Sequence, residues 1–507
     1  MWILLLALLA QDFEAIGRVQ PVREDAQAAL ASGLGDSNER TRAGAARGFE
    51  ALFRLNKGMR PVPAALTGLH AAFSANRNEE IRELILMAMN TVQDRDAATL
   101  ALALKDPSPQ VRRLAVLGTG KWIADPSPIV QYAALKADPT CDRAAAAVAN
   151  PNGHVVLLAI DLLGKQKCDA KLIAPLLTSQ NWRTRAHALL SMAAVDPVQA
   201  RRVLRKSEAN PVWQVRAYAA KAAIILNDSE ALATLARDPN PNVAIEAMTT
   251  FDAAVRALSS DHSGLIRAGA NKLKDAPDLN MFLPQLVAAY RRLTGEGVIT
   301  RRDPRVELLN RIGEVNDPST TALLRAALHD QDPKIAALAA KFLNEPAQTT
   351  QLPVPPAAPA VTGAKARITM RGLGVISLDL LDRDAPATVA TFVQLAEAGM
   401  YNGLTFHRIV PNFVIQGGSP GADEYDALSR YFMPDELGVA RNARGTVGIS
   451  TRGRDTGDAQ IYFNLVDNFH LDRNYTVFAA TREGLDVMDR VQEGDVIEKI
   501  EIIRARR

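Results

Sequence analysis

From residue 11 to about residue 343, apolar positions recur every three or four residues, in runs such as "VRRLAVLGTG", "VRAYAAKAAIIL" and "IRAGANKL". That is the period of an amphipathic helix. Ahead of most runs stands one phrase: Asp, Asn or Ser, four residues of turn, then Val, Ile or Thr, often followed by Arg. It occurs at Asp36…Thr41-Arg42, Asn76…Ile81-Arg82, Asp106-Pro…Val111-Arg112, Asn150-Pro…Val155 and Ser179…Thr184-Arg185. It returns at Asn210-Pro…Val215-Arg216, Asp238-Pro…Val243, Asp261…Ile266-Arg267 and Asp330…Ile335. The polar residue opens a turn, Pro pre-sets its φ, and the branched residue begins the apolar stripe of a second helix. A two-helix unit cannot bury its own apolar face, so such units are expected to stack into an array. The stretch from about 270 to 329 is less regular and predicts a longer repeat or an insertion.

These units resemble HEAT-type repeats, particularly the short HEAT-like variety. The resemblance implies an all-α solenoid over residues 11–343 with a long surface for protein clients or partners. The recurrent arginines read either as a ligand-binding stripe or as structural partners of the turn Asp residues, the second being the simpler reading. Nothing in the array has a catalytic pattern. Aromatics are only 5% of the chain while Ala and Leu abound, which suits helices packed through small residues. The net charge of +3 over 507 residues offers no concentrated basic surface, so no nucleic-acid partner is expected.

The chain begins with the apolar run "MWILLLALLA". It is too short to span a bilayer, so no stable membrane span is expected. It fits the core of a signal segment over residues 1–10, cut after Ala10, and predicts export to a periplasm or the extracellular space. An ordinary first helix in a cytoplasmic protein is the alternative. Cys141 and Cys168, the only cysteines, lack metal-ligand spacing, and the seven histidines form no cluster in the sequence, so neither a metal nor another cofactor is expected. A disulfide between the two cysteines and a pair of separate thiols both remain open.

Residues 344–364 hold Pro346, Pro353, Pro355, Pro356 and Pro359 and predict a semi-rigid spacer. Beyond it, residues 365–507 change to strand-like alternation. "RITMRGLGVISLDLL" predicts a hairpin, "DAPATVATFVQLAEAGMY" a helix with Pro386 in its first turn, and "TVGIS", "AQIYFNLVD" and "YTVFAA" short strands. "EGLDVMDRVQEG" predicts a second helix closed by Gly494, and "VIEKIEII" a last strand. Many antiparallel strands with two distant helices suggest a closed barrel capped at its ends.

Within this region "FHRIVPNFVIQGG" (residues 406–418) places an arginine and a glutamine in an apolar strand stretch. Strand parity puts Arg408 on the face of Leu404, Phe406 and Val410, and Gln416 on that of Val414. A charge on an apolar face is costly unless the face lines an open cleft. The order of that stretch with "GTVGIST", "DAQIYFNLVDN", "HLDRNYTVFA" and "GLDVMDRV" resembles the cyclophilin-type peptidyl-prolyl cis–trans isomerases over residues 365–507. The resemblance implies a mainly-β closed barrel with two helices, acting on proline-containing polypeptides. It implies Arg408 and Gln416 as catalytic residues. It also implies a proline pocket of Phe413, Val414, Tyr462 and Leu471, with Ser450, Thr451 and Gln460 along the peptide and His407, His470 and Tyr475 at the cleft. Val414, Tyr462 and His470 depart from the family's common residues, and the loop 419–438 lacks its usual glycines, which bears on peptide preference. The apolar members also read as plain barrel core. Two alternatives to an isomerase are a scaffold that binds proline segments without turnover and a hydrolase using Ser450, His407 and an Asp. No serine has the nucleophile-elbow context that the hydrolase would need.

Overall fold

The computed structural model describes residues 24–504 apart from 349, 354, 356 and 357, so the apolar segment 1–10 lies outside the described residues. The chain forms two compact units, Met1–Ala159 and Ile160–Arg507. Among the described residues no helix is long and apolar enough to cross a membrane. Neither cysteine is a free thiol.

The first unit is helical. Its helices Glu39–Leu55, Glu79–Thr91 and Pro109–Thr119 each follow one of the repeated turns. The turn residues cap them: the side chains of Asn38, Asn78 and Ser108 accept from backbone N–H groups of the first turn. The arginine of each phrase does two things at once. Arg82 donates Nη1 to the carbonyls of Asn76 and Arg77 in its own turn, and grips Asp106 of the next turn through Nε (2.6 Å) and Nη2 (2.9 Å). Arg112 holds Asp125 in the same way, at 2.6 and 3.0 Å. Asp125-Pro126 ahead of Val130 is thus one more turn of the series. The arginines are structural here, as fixed forks that match a carboxylate.

The second unit continues the helices and adds a sheet. Arg216 repeats the grip on Asp238 at 2.6 and 2.8 Å. Between residues 270 and 329 the irregularity takes the form of short 3₁₀ turns, such as Leu279–Phe282 and Ile299–Arg301, which directly precede the helices Leu283–Glu296 and Arg302–Val315. These helices share one apolar core with their neighbours, including Leu286, Tyr290, Leu308 and Ile312.

The sheet has eight antiparallel strands: β1 Lys365–Met370, β2 Gly374–Leu380, β3 Thr405–Val410, β4 Val414–Ser419, β5 Thr446–Ile449, β6 Ile461–Asn464, β7 Val477–Glu483 and β8 Ile497–Ile503. Their order is β3-β4-β6-β5-β7-β2-β1-β8. The sheet curls until its two ends meet. Thr405 bridges Val496, and backbone bonds join Phe406 N to Asp495 O and Ile497 N to Leu404 O. Ile368, Phe406, Ile415, Phe463 and Phe478 fill the inside, and the helix Pro386–Glu397 covers it with Phe392 and Val393. The second expected helix is shorter than its sequence suggested. It spans only Leu485–Met488, because the following chain is drawn off to bond Phe406 O through Gly494 N and Arg183 through Glu493 O.

The described residues between 344 and 364 form no helix or strand. Within the second unit, helical residues lie directly on the sheet domain. Arg183 pairs with Asp495 at 2.6 Å, Tyr218 donates to Glu493 at 3.1 Å, and Ile299 N donates to Arg430 O at 2.9 Å.

Candidate active site

Strand parity put Arg408 on one cleft-lining face with Phe406, and the structure separates the two. Phe406 pairs with Gly417, yet Arg408 pairs with Gln416, so two steps on β3 match one on β4. The extra residue is His407, a β-bulge. The bulge turns Arg408 off the core face and onto the side of Val414 and Gln416. Regular alternation would have buried the guanidinium beside Phe406 and Phe463.

The side chains gathered there line a cavity of about 300 Å³: Arg408, Phe413, Val414, Gln416, Ser450, Thr451, Tyr462, Leu471 and Tyr475, with Glu424 and Arg452. The first nine were singled out from sequence. Phe413 comes from the β3–β4 turn, where its carbonyl accepts from Leu465 N and Asn468 Nδ2, both at 2.9 Å. Tyr462 on β6 donates to Asn442 Oδ1 at 2.6 Å and meets Tyr475 edge-on with centroids 6.0 Å apart. The Tyr462 ring crosses Gly448 of β5 so closely that a Cβ there would lie 2.4 Å from it, which is why the short strand "TVGIS" carries glycine.

Three expected residues do not line the cavity. Gln460 is fully buried behind Gln416, accepting from Gln416 Nε2 at 3.1 Å and donating to Asp458 at 3.2 Å, so it can orient Gln416 but not touch a peptide. His407 is half-buried in the bulge, with both ring nitrogens shielded from solvent. Burial first, and the Arg408 charge second, depress its ring to about 4, so it is neutral at ordinary pH. His470 stands beside the site, stacked on Phe413 at 5.6 Å.

Two functional candidates were missed. Glu424 carries a carboxylate to 3.2 Å from Arg408 Nε, on a loop with no strand or helix pattern. Arg452 follows Thr451 directly, but its charge is taken up by Asp458 and by Asp303, 149 residues away, each at 2.5 Å. No local signal could have shown that pairing. Arg408 is the more open cation. Its Nη1 lies 3.4 Å from Gln416 Oε1, and more than a third of its side chain is exposed.

Such a site holds no nucleophile poised beside a base. It offers a half-exposed, permanently charged donor and a buried amide on the wall of an aromatic and aliphatic pocket. That is a binding surface for an apolar ring next to a polar backbone, with a cation to stabilise developing electron density.

A family model described as "Cyclophilin type peptidyl-prolyl cis-trans isomerase/CLD" matches residues 365–506. A peptidyl-prolyl cis-trans isomerase of Helicobacter pylori is 41% identical over 130 residues, 25% of this chain and 80% of that protein. One from Synechococcus elongatus is 38% identical over 132 residues, 26% of this chain and 90% of that protein. Peptidyl-prolyl cis-trans isomerase A of Dickeya dadantii is 33% identical over 145 residues, covering 27% and 76%. Each of the three similarities covers about a quarter of this chain.

Proposed function

Since the chain belongs to the cyclophilin-type peptidyl-prolyl cis–trans isomerases through its C-terminal domain, we propose that the cavity around Arg408 binds an X–Pro segment and turns over its amide. Rotation of that bond breaks amide resonance, against a barrier of roughly 18–20 kcal/mol. In the twisted state the proline nitrogen regains its lone pair. A fixed N–H donor with a permanent positive charge stabilises that state more than the planar one, which is what acceleration requires. Arg408 supplies the donor. Gln416, oriented by Gln460, holds the substrate backbone, and Phe413, Val414, Tyr462 and Leu471 take the proline ring. The observation that carries this reading is the bulge at His407, which aims the guanidinium into the cavity.

The test is a peptide isomerisation assay on the full chain. Arg408→Ala is expected to reduce kcat/KM by about 100-fold, while a folded variant that keeps wild-type activity would refute the role. One observation favours a second reading, a proline-binding scaffold without significant turnover: the carboxylate of Glu424 already engages Arg408. For the remainder of the chain the reading is a HEAT-like array that binds protein clients, in an exported folding factor. The recurrent turns and the apolar run 1–10 support it. The mature N-terminus, read by mass spectrometry, tests export: a start at Gln11 supports it, and a retained Met1 in the native protein refutes it.

A further inference from the structure

Glu424 does not reach Arg408 by chance of a free loop. Its segment is held from both sides. From the sheet domain, Arg452 donates to Glu424 O, and Gln460 donates to Asp426 O at 3.2 Å. Within the loop, Asp423 Oδ1 accepts from Tyr425 N (2.9 Å) and Asp426 N (3.0 Å), a turn that fixes the backbone on the far side of Glu424. From the array, Asn242 Nδ2 donates to Gly421 O at 2.8 Å, and Ser263 N donates to Asp426 Oδ1 at 3.1 Å. The ring of His262 faces Asp426 at 3.4 Å, and Arg267 lies over the Tyr425 ring at 4.5 Å.

The array side is shaped for this loop. Gly264, in the first turn of the helix Ser263–Lys272, leaves the space that the Asp423 carboxylate occupies; a Cβ there would fall 2.1 Å from Asp423 Oδ2. Arg267 occupies the position at which Arg82 and Arg216 grip the next turn's Asp, yet it faces Tyr425, with Glu307 at 3.8 Å. His262, Asp423 and Asp426 bring their ligand-type atoms within 4.8 Å of one another. They do not compose a metal site, because His262 Nδ1 accepts from Leu265 N as a helix cap, which leaves the ring proton on the Nε2 that faces the carboxylates.

We infer that Glu424 is a specificity-determining residue of the cleft, favouring peptides with a basic side chain beside the proline, and that the array helix Ser263–Lys272 holds it there. The inference rests on the proposed role of Arg408. With no substrate cation present, Glu424 draws on the guanidinium that must face the imide nitrogen. A lysine or arginine of the substrate offers the carboxylate a second partner and frees Arg408. An acidic side chain in the same place meets the repulsion of Glu424 without that gain. The array is then part of the active site and not only a surface for clients.

The test uses the full chain and a matched set of proline peptides with Lys, Ala or Glu at either of the two positions before the proline. Wild type is expected to favour Lys over Glu by about fivefold in kcat/KM, less at high salt, as befits a half-exposed charge. In Glu424→Gln that ratio should fall to about one while the Ala peptide speeds up about threefold. Gly264→Ala, which alters the array alone, should lower the ratio at least twofold; Asn242→Ala should shift it the same way and serves if Gly264→Ala fails to fold. An unchanged ratio in Glu424→Gln overturns the inference. An unchanged ratio in folded array variants overturns the role of the array. Turnover that survives Arg408→Ala instead defeats the underlying reading of the site, so the failures are distinguishable.

Discussion

The array and the sheet domain hold themselves together in different ways. Array helices touch near neighbours through alanine, leucine and a repeated arginine-to-aspartate grip, so most of its contacts follow from a repeat register. The sheet domain closes one core of Phe392, Phe406, Phe463 and Phe478 drawn from distant segments. Damage should therefore stay local in one and spread in the other. The loop 419–438 belongs to neither pattern. It is continuous with the strands in sequence, yet the array shares in holding it, and the least regular part of the chain thus carries a cleft residue.

The largest effect that separates the two regions is expected from Phe406→Ala. Phe406 is fully buried, with its ring centroid 5.8 Å from that of Phe463. The change should destabilise the sheet domain by about 4 kcal/mol. Hydrogen exchange should show lost protection on strands throughout the sheet; loss confined to β3 would break the comparison.

Next comes a pH effect in the same domain. The His407 ring, held at about 4, lies below its ordinary value of 6.5. As pH falls, the unfolded chain takes up the proton first. The resulting stability is complete above pH 6.5 and is lost as pH falls toward 4. Relative to His407→Asn, wild type should lose roughly 3 kcal/mol between pH 7 and 4. Urea midpoints of both proteins at the two pH values check this, and parallel curves would contradict it.

Smaller effects sharpen the contrast inside the array. Arg216→Ala removes a bidentate pair with Asp238 and should destabilise by about 2 kcal/mol, with exchange rising only in the adjoining turns. Arg267→Ala, at the equivalent position, should cost about 0.5 kcal/mol. Its exchange signature should appear in residues 419–426 instead, and a signature confined to the array would show that Arg267 is one more structural arginine.

These cases also mark what the sequence could reveal. Arg408 and Gln416 stood out because a charge and an amide in an apolar strand need an open cleft, and the surrounding motif is long. Phe406 was wrongly given the same face as Arg408 because a bulge leaves no mark in residue type: "FHRIV" reads as regular alternation. Gln460 was placed at the peptide by family resemblance, and only its full burial shows that it stands behind Gln416. Glu424 escaped notice because its loop has no strand or helix pattern, and Arg452 because one of its partners, Asp303, lies outside the sheet domain's sequence. Asp303 and His262 carry no local sign of where they dock. The irregular stretch near 299 was visible as a lapse in the repeat. Its reason, the bonds of Ile299 and Thr300 to Arg430 and Ser429, is tertiary.

An isomerase requires Arg408 to produce turnover and not merely binding. Exchange NMR on an X–Pro peptide with the full chain separates the two, since binding shifts peaks while catalysis creates cross-peaks between cis and trans signals. The account predicts cross-peaks at catalytic protein concentrations with wild type and about 100-fold weaker exchange with Arg408→Ala at similar peptide affinity. Shifted peaks without exchange for wild type, or equal exchange for both proteins, would contradict it.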